Sequence, residues 1–195
     1  MIATGRSYYD FCNKINEYNI EYDYVIINHG TTILDKNNNI FSNFEIDNMV
    51  VNSIKNDLEL EKSISHFCCS KLESRVDFNH LNLTKINVRY NTLEEALDMS
   101  RKINEKYSDY VNAYYVNCNS IEIISNKINK SKAIQILIDR INIPKNQVYT
   151  IGDGYSDTEM IRDFNGYAMK ESVEELKSVA LKEVNSVSSL IKEIM

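Results

Sequence analysis

A chain of 195 residues, 43% of them hydrophobic, can bury one good core, or a core domain plus a small one. Its formal charge of −6, with no basic block or stripe, argues against a nucleic-acid partner. No apolar run approaches the roughly 20 residues of a membrane span, so the sequence predicts no membrane partner.

The start, Met1-Ile-Ala-Thr-Gly-Arg-Ser7, does not read as a signal peptide, because an amphipathic polar segment follows it. Cys12, Cys68, Cys69 and Cys118 have neither zinc spacing nor the look of a disulfide framework. They read as free thiols of a reducing cytoplasm.

In chain order, Met1-Ile-Ala3 resembles the tail of a strand, and Thr4-Gly5-Arg6-Ser7 the turn after it. A helix is predicted over 7–18, with Phe11, Cys12 and Ile15 on one face. Thr4 and Gly5 therefore lie between a strand and a helix N-terminus, where outward N–H groups and a hydroxyl can bind an anion, although most such turns are only turns. The apolar stretch 22–27 predicts a strand. It runs into Asn28-His29-Gly30 and a hairpin partner over 31–35. Read locally, a lone His29 is structural or solvent-facing.

From 40 to 125 the texture changes. A strand is expected over 40–45 and a helix over 47–58, with Met49, Val50, Ser53, Ile54 and Asp57 spaced along it. Short strands are expected over 64–72 and 75–78. Residues 84–90 alternate, with Ile86, Val88 and Tyr90 on one face and Lys85, Asn87 and Arg89 on the other. Thr92-x-x-Glu95 is a capping box for a helix to about residue 107, with Leu93, Ala96, Leu97, Ser100 and Ile103 inward. Strands over 110–116 and 120–124 complete an α+β unit. No catalytic cluster stands out within it, and His66 and His80 lack ligand spacing to any partner.

A basic, polar stretch over 127–132 leads into a helix carrying Ala133, Ile134, Leu137, Ile138 and Ile141. Lys130 sits at its start, where a cation opposes the helix dipole. Next, Val148, Tyr149 and Ile151 predict a buried strand that stops at Gly152-Asp153-Gly154, with a helix from Ser156. Asp153 and Asp157 thus lie at the carboxyl end of a strand, where open α/β sheets place ligands. Such hard oxygens suit Mg2+. The competing local reading is a tight turn with a capping box, Ser156-x-x-Glu159. Asn165-Gly166 predicts a helix end, 167–169 a short strand, and Ser172-x-x-Glu175 another helix cap. A last helix turns Val187, Leu190, Ile191 and Ile194 inward.

Several fragments fall into one order: Ile2-Ala-Thr-Gly-Arg-Ser7, Tyr24-Val-Ile-Ile-Asn-His-Gly30, Ile121-Glu-Ile123 leading to Lys130, Ile151-Gly-Asp-Gly-Tyr-Ser-Asp157 with Met160, and Gly166-Tyr-Ala-Met169. Together they resemble the haloacid dehalogenase superfamily in its Cof-like branch, across nearly the whole chain. The resemblance implies an α/β fold with a Rossmann-type core, a three-layer and mostly parallel sheet, formed by residues 1–39 and 126–195. An α+β cap over 40–125 is inserted into it. It also implies a Mg2+-dependent phosphatase of small phosphorylated metabolites that works through an aspartyl-phosphate. Thr4 and the Gly5 N–H would hold phosphoryl oxygens and Lys130 would neutralise the phosphate. Asp153 would bind Mg2+, and Asp157, with Lys130 a catalytic candidate, would accept a hydrogen bond behind the metal or reach it through water. Arg6, Asn28 and His29 would be substrate-contact candidates.

The sequence departs from the family pattern in one large respect. The motif Asp-x-Asp-Gly-Thr, which supplies the nucleophile and the general acid/base, occurs nowhere in the 195 residues. Its strand is central in the family's sheet, so its loss predicts two unpaired strand edges. Smaller departures are Ser156 and Glu171 where Asn is usual, and His29 where Asn is common. The expectation is a truncated chain that is inactive as it stands. One alternative is a non-catalytic phosphate-binding or interaction module, in one form a strand-swapped dimer. Another is an unrelated α/β phosphate-binding domain, against which the insert and Lys130 ahead of a helix both argue. Oligomeric state and the identity of the substrate are not legible in the sequence.

Overall fold

The computed structural model describes residues 1–194 and divides into two compact units, Met1–Ile128 and a second that begins at Asn129. In the first unit, strand β1 (Ile2–Ala3) leads into helix α1 (Tyr8–Tyr18), then β2 (Tyr24–Ile27), β3 (Thr32–Asp35) and β4 (Ile40–Asn43). These strands form a sheet in the order β1-β2-β3-β4. β1 runs parallel to β2, with Ala3 opposite Ile26, and the remaining pairs are antiparallel. Phe11 of α1 meets Val25, Ile27 and Leu34 in a small core. Burying four such side chains supplies the apolar area that holds the helix on the sheet.

The chain continues through α2 (Asn48–Asp57), β5 (Ser65–Ser70), β6 (Glu73–Val76), β7 (Lys85–Arg89), α3 (Leu93–Tyr107), β8 (Val111–Val116) and β9 (Ser120–Ser125). The five strands form an antiparallel sheet in the order β6-β5-β7-β9-β8. Strand period 2 sends Ile86, Val88, Ile121 and Ile123 to one face. There they join Ile54, Leu58, Ala96 and Ile103 in the largest core. Lys85, Asn87 and Glu122 therefore occupy the opposite face.

The Thr92 capping box forms: the Glu95 N–H donates to Thr92 Oγ1 at 3.2 Å, and the Thr92 N–H to Glu95 Oε2 at 3.0 Å. The stripes of both helices are rotated from the expected phase. In α2, Val50, Val51 and Ile54 are buried and Met49 is exposed. In α3, Met99 and Tyr107 turn inward with Ala96, Ser100 and Ile103, while Leu93 and Leu97 face solvent. The sheet beneath sets the phase, and a stripe broken by Ser and Asp specifies it weakly.

The second unit is a βα succession: α4 (Lys130–Ile141), β10 (Tyr149–Gly152), α5 (Thr158–Asp163), β11 (Asn165–Met169), α6 (Glu174–Val179), β12 (Lys182–Val184) and α7 (Val187–Ile194). Its strands form a parallel sheet in the order β10-β11-β12. Ile134, Leu137, Ile138, Met160, Ile161 and Leu176 are buried here.

Three expectations for this unit are corrected and one strand is added. Asn165 and Gly166 belong to β11 and do not end a helix; a Cβ at Gly166 would overlap the Ile161 carbonyl, so the strand passes too close to α5 for any side chain. β12 was not anticipated. Ser172 caps nothing: Val173 holds the N-cap of α6, and the Ser172 hydroxyl is buried with no hydrogen-bond partner. In α7 Leu190 is buried, whereas Val187, Ile191 and Ile194 are exposed.

Among the described residues, no helix is long and apolar enough to cross a membrane. All four cysteines are free thiols. Burial pushes the Cys68 thiol up to about 12, which makes it unreactive at neutral pH.

Candidate functional site

The residues singled out from sequence fall into one group in each unit. In the first unit the turn 4–7 joins β1 to α1. Ser7 is the N-cap, its Oγ accepting from the Asp10 N–H at 3.3 Å and its hydroxyl donating to Asp10 Oδ2 at 2.7 Å. This reciprocal bonding starts the helix cleanly after Arg6.

All three carbonyls of Thr4-Gly5-Arg6 are engaged from behind. The Thr4 carbonyl accepts from the His29 N–H at 3.1 Å, and the Arg6 carbonyl from the Asn28 N–H at 2.9 Å. The Gly5 carbonyl accepts from Lys85 Nζ at 2.7 Å. Thr4 Oγ1 accepts the Arg6 N–H at 3.2 Å, which leaves its own O–H free to donate.

Gly5 has a second reason to be glycine. A Cβ there would overlap the His29 imidazole. His29 is buried, ion-paired through Nε2 to Glu122, and stacked on Tyr114 with centroids 5.5 Å apart. Its backbone lies in the left-handed region, φ 59°, following Asn28 at 49° and preceding Gly30 at 115°. Asn and His are among the non-glycine residues that adopt this conformation most often, but two in a row still store strain. The Asn28 side chain is fully buried and neither its Oδ1 nor its Nδ2 has a hydrogen-bond partner; Thr31 Oγ1 in the same turn is also unsatisfied. Arg6 is exposed.

Behind His29 lies a charged cluster that the sequence reading missed. Glu122 Oε1 accepts from Lys85 Nζ at 2.7 Å and from Asn87 Nδ2 at 3.2 Å, while Oε2 meets His29. Both Lys85 and Glu122 are buried. Burial alone would push the Glu122 carboxyl up. The charges of Lys85 and His29, with their hydrogen bonds, more than offset this and hold it well below the carboxylate range. The available signal was Glu122 itself, the single charge in the apolar run Ile121-Glu122-Ile123-Ile124.

In the second unit Lys130 is the first residue of α4. Asn129 caps this helix, its Oδ1 accepting from the Lys132 N–H at 2.8 Å. Lys130 is buried, and its Nζ donates to Asp157 Oδ1 at 2.6 Å and to Ser156 Oγ at 3.1 Å. The anion that offsets the unfavourable helix start is therefore Asp157.

Asp157 is buried too, and its Oδ2 accepts from the Asp153 and Gly154 N–H groups at 3.2 and 3.3 Å. It holds closed the turn that follows β10. A Cβ on Gly152 would come within 2.5 Å of Asp157 Cβ, so the strand end must be glycine. The expected Ser156-x-x-Glu159 box is not formed. The residues 155–157 make a 3-10 turn, α5 begins at Thr158, and the Asp157 carboxylate takes the N–H groups instead. Asp153 keeps an exposed side chain. With Asp157 committed to Lys130 and the turn, Asp153 is the carboxylate here that is open to a cation. Among the described residues, no three His, Cys, Asp or Glu side chains cluster to hold a metal. Asp153 thus fits Mg2+ as one contributor, in keeping with an ion that takes one or two carboxylates and completes its shell with water and phosphate.

His66, on β5 opposite Val88, lies against the Phe78 ring, and neither it nor His80 meets another candidate site residue. His66 Nδ1 lies 3.2 Å from Ser63 Oγ, and His80 is 2.7 Å from the Leu81 carbonyl and 2.9 Å from Glu73.

Comparison with known proteins places this geometry in context. The family profile described as haloacid dehalogenase-like hydrolase matches residues 1–80 and 69–189. A protein of Buchnera aphidicola subsp. Baizongia pistaciae, named "Putative phosphatase", is 21% identical over all of this chain and 84% of its own length. A haloacid dehalogenase-like hydrolase from Bacteroides thetaiotaomicron superposes with a TM-score of 0.80 at 17% identity, over 100% of this chain and 86% of that one. A solved sugar phosphatase of HAD subclass IIB gives 0.79 at 16% identity, over 98% and 84%. At these identities the solved structures carry the fold.

Proposed function

The chain belongs to the haloacid dehalogenase-like hydrolases, and we propose that its residues serve a Mg2+-dependent phosphatase of small phosphorylated metabolites acting through an aspartyl-phosphate. In this reading residues 1–39 and 126–195 are the family's core and 40–125 its cap. The observation that carries it is the Lys130–Asp157 pair beside the open carboxylate of Asp153. A buried ion pair gains little stability over apolar side chains of the same volume, so its presence at a strand end is better explained by chemistry. Phosphoryl transfer is mainly positioning and charge stabilisation, which suits a fixed lysine.

The Thr4 hydroxyl and the Gly5 N–H hold phosphoryl oxygens. Lys130 neutralises the phosphate, oriented by Asp157 and Ser156. Asp153 contributes to holding Mg2+, which, when bound, supplies further charge neutralisation at the phosphoryl group. Of the substrate-contact candidates, Arg6 offers an exposed guanidinium, whereas the Asn28 carboxamide is fully buried. His29 is committed to Glu122 and acts from behind the Thr4–Gly5 turn.

The nucleophile is not among the 195 residues. The reading therefore requires an Asp-x-Asp-Gly-Thr segment from outside them, and the chain alone turns over no phosphoester. A second reading is favoured by the lack of a three-carboxylate cluster among the described residues: a non-catalytic module that binds phosphate through the same groups. One assay separates the two. Purified chain is given Mg2+ and a generic phosphoester, with and without an added peptide strand ending in Asp-x-Asp-Gly-Thr. Turnover only with the peptide supports the phosphatase reading; saturable phosphate binding with no turnover in either case supports the module.

A further inference from the structure

We infer that Lys85 and Glu122 are positioning residues that set the donor strength of the Thr4 hydroxyl through a hydrogen-bond relay; this rests on the proposed phosphate-binding role of Thr4. The relay lies wholly within the first unit. Glu122 accepts from Lys85 at 2.7 Å, Lys85 donates to the Gly5 carbonyl at 2.7 Å, and the same peptide group's N–H, that of Arg6, donates to Thr4 Oγ1 at 3.2 Å. A cation on a peptide oxygen polarises that peptide and strengthens its N–H as a donor. An oxygen that accepts such a bond becomes a better donor through its own proton. The Lys85 contact, held in place by Glu122, therefore strengthens the Thr4 O–H as a donor to an anion.

Three further observations bear on this. Lys85 is 2% exposed and its partners are Glu122 and a backbone carbonyl of the turn. Nothing about strand β7 requires a lysine there, since the alternation needs only a non-core residue. His29, strained at φ 59°, is fixed by Glu122 and Tyr114 on one side and by the bare Gly5 on the other. Its N–H in turn holds the Thr4 carbonyl. The carboxylate of Glu122 thus grips the turn by two routes, through Lys85 to Gly5 and through His29 to Thr4. Asn87 and Tyr114, opposite Glu122 on the neighbouring strands, fix its position across the sheet.

The test is a double-mutant cycle read by orthophosphate titration of the 195-residue chain, followed through backbone amide chemical shifts. Lys85→Met with Glu122→Gln removes both charges together, so neither is left buried without the other. This pair variant is made in the Thr4 and the Thr4→Val backgrounds. The relay predicts that it weakens phosphate binding by about tenfold in the first background and by less than about twofold in the second. Equal losses in both, or no loss in either, overturn the relay. Hydrogen exchange at the Arg6 and His29 amides gives a readout independent of phosphate, and the pair variant should speed both by at least about tenfold while Ile26 is unchanged. If the unmodified chain binds no phosphate, the phosphatase reading fails, and the exchange comparison alone decides whether Lys85 and Glu122 hold the turn; unchanged exchange overturns it.

Discussion

Lys130 and Asp157 are both buried and matched to each other at 2.6 Å. Lys130→Met leaves the Asp157 carboxylate buried with two backbone N–H donors and no cation. It should cost about 3–5 kcal/mol, as for other broken buried pairs, measured as a shift in urea unfolding; a loss below about 1 kcal/mol contradicts the burial argument. Glu122 makes a prediction in pH. Its carboxyl is depressed in the folded chain, so the unfolded chain binds more protons as acid is added. The stability it contributes is present above the unfolded carboxylate pKa of about 4.3 and is lost as pH falls below it. Glu122→Gln should therefore flatten the acid limb of a stability–pH profile, and an unchanged limb would place that proton uptake elsewhere. Sequence made Lys130 and Asp157 visible because their motifs come in a family order. Lys85 and Glu122 stayed hidden because a polar residue at alternate positions of an antiparallel strand reads as solvent-facing, and only burial of the second sheet face reveals otherwise.

Among the elements, α4 carries the most for the site. Its N-cap, Asn129, satisfies the Lys132 N–H at 2.8 Å and so fixes the turn from which Lys130 projects. Asn129→Ala should destabilise the chain by about 1 kcal/mol and speed exchange at the Lys132 amide; an unchanged stability would mean that the Lys130–Asp157 pair alone sets the helix start. The capping boxes show what sequence can and cannot say at this scale. Thr92-x-x-Glu95 forms, with Glu95 Oε2 accepting from the Asn91 N–H at 3.1 Å as well as from the Thr92 N–H at 3.0 Å. Ser156-x-x-Glu159 does not, because Lys130 claims the Ser156 hydroxyl and a charged acceptor, Asp157, outcompetes a neutral one for the turn's N–H groups. The order of strands and helices was nearly all legible from period and punctuation. The phases of α2, α3 and α7 were not, since they depend on the surface each helix meets.

At the scale of the molecule, β1 ends its sheet with only β2 as a partner, and β10 ends its own with only β11. Each offers an unpaired edge, the state that folded proteins usually cover. The order of the four motifs was enough to read the family from sequence. Which residues grip the Thr4–Gly5 turn was not, because Gly5, His29, Lys85 and Glu122 are brought together from distant parts of the chain.

The most direct test is Mg2+-dependent hydrolysis of a phosphoester by the purified 195-residue chain, alone and with an Asp-x-Asp-Gly-Thr strand supplied as a peptide. The account predicts no turnover alone and turnover on addition, abolished by Lys130→Met and Asp153→Asn. Robust hydrolysis by the chain alone would contradict it, because the nucleophile would then lie among residues already present.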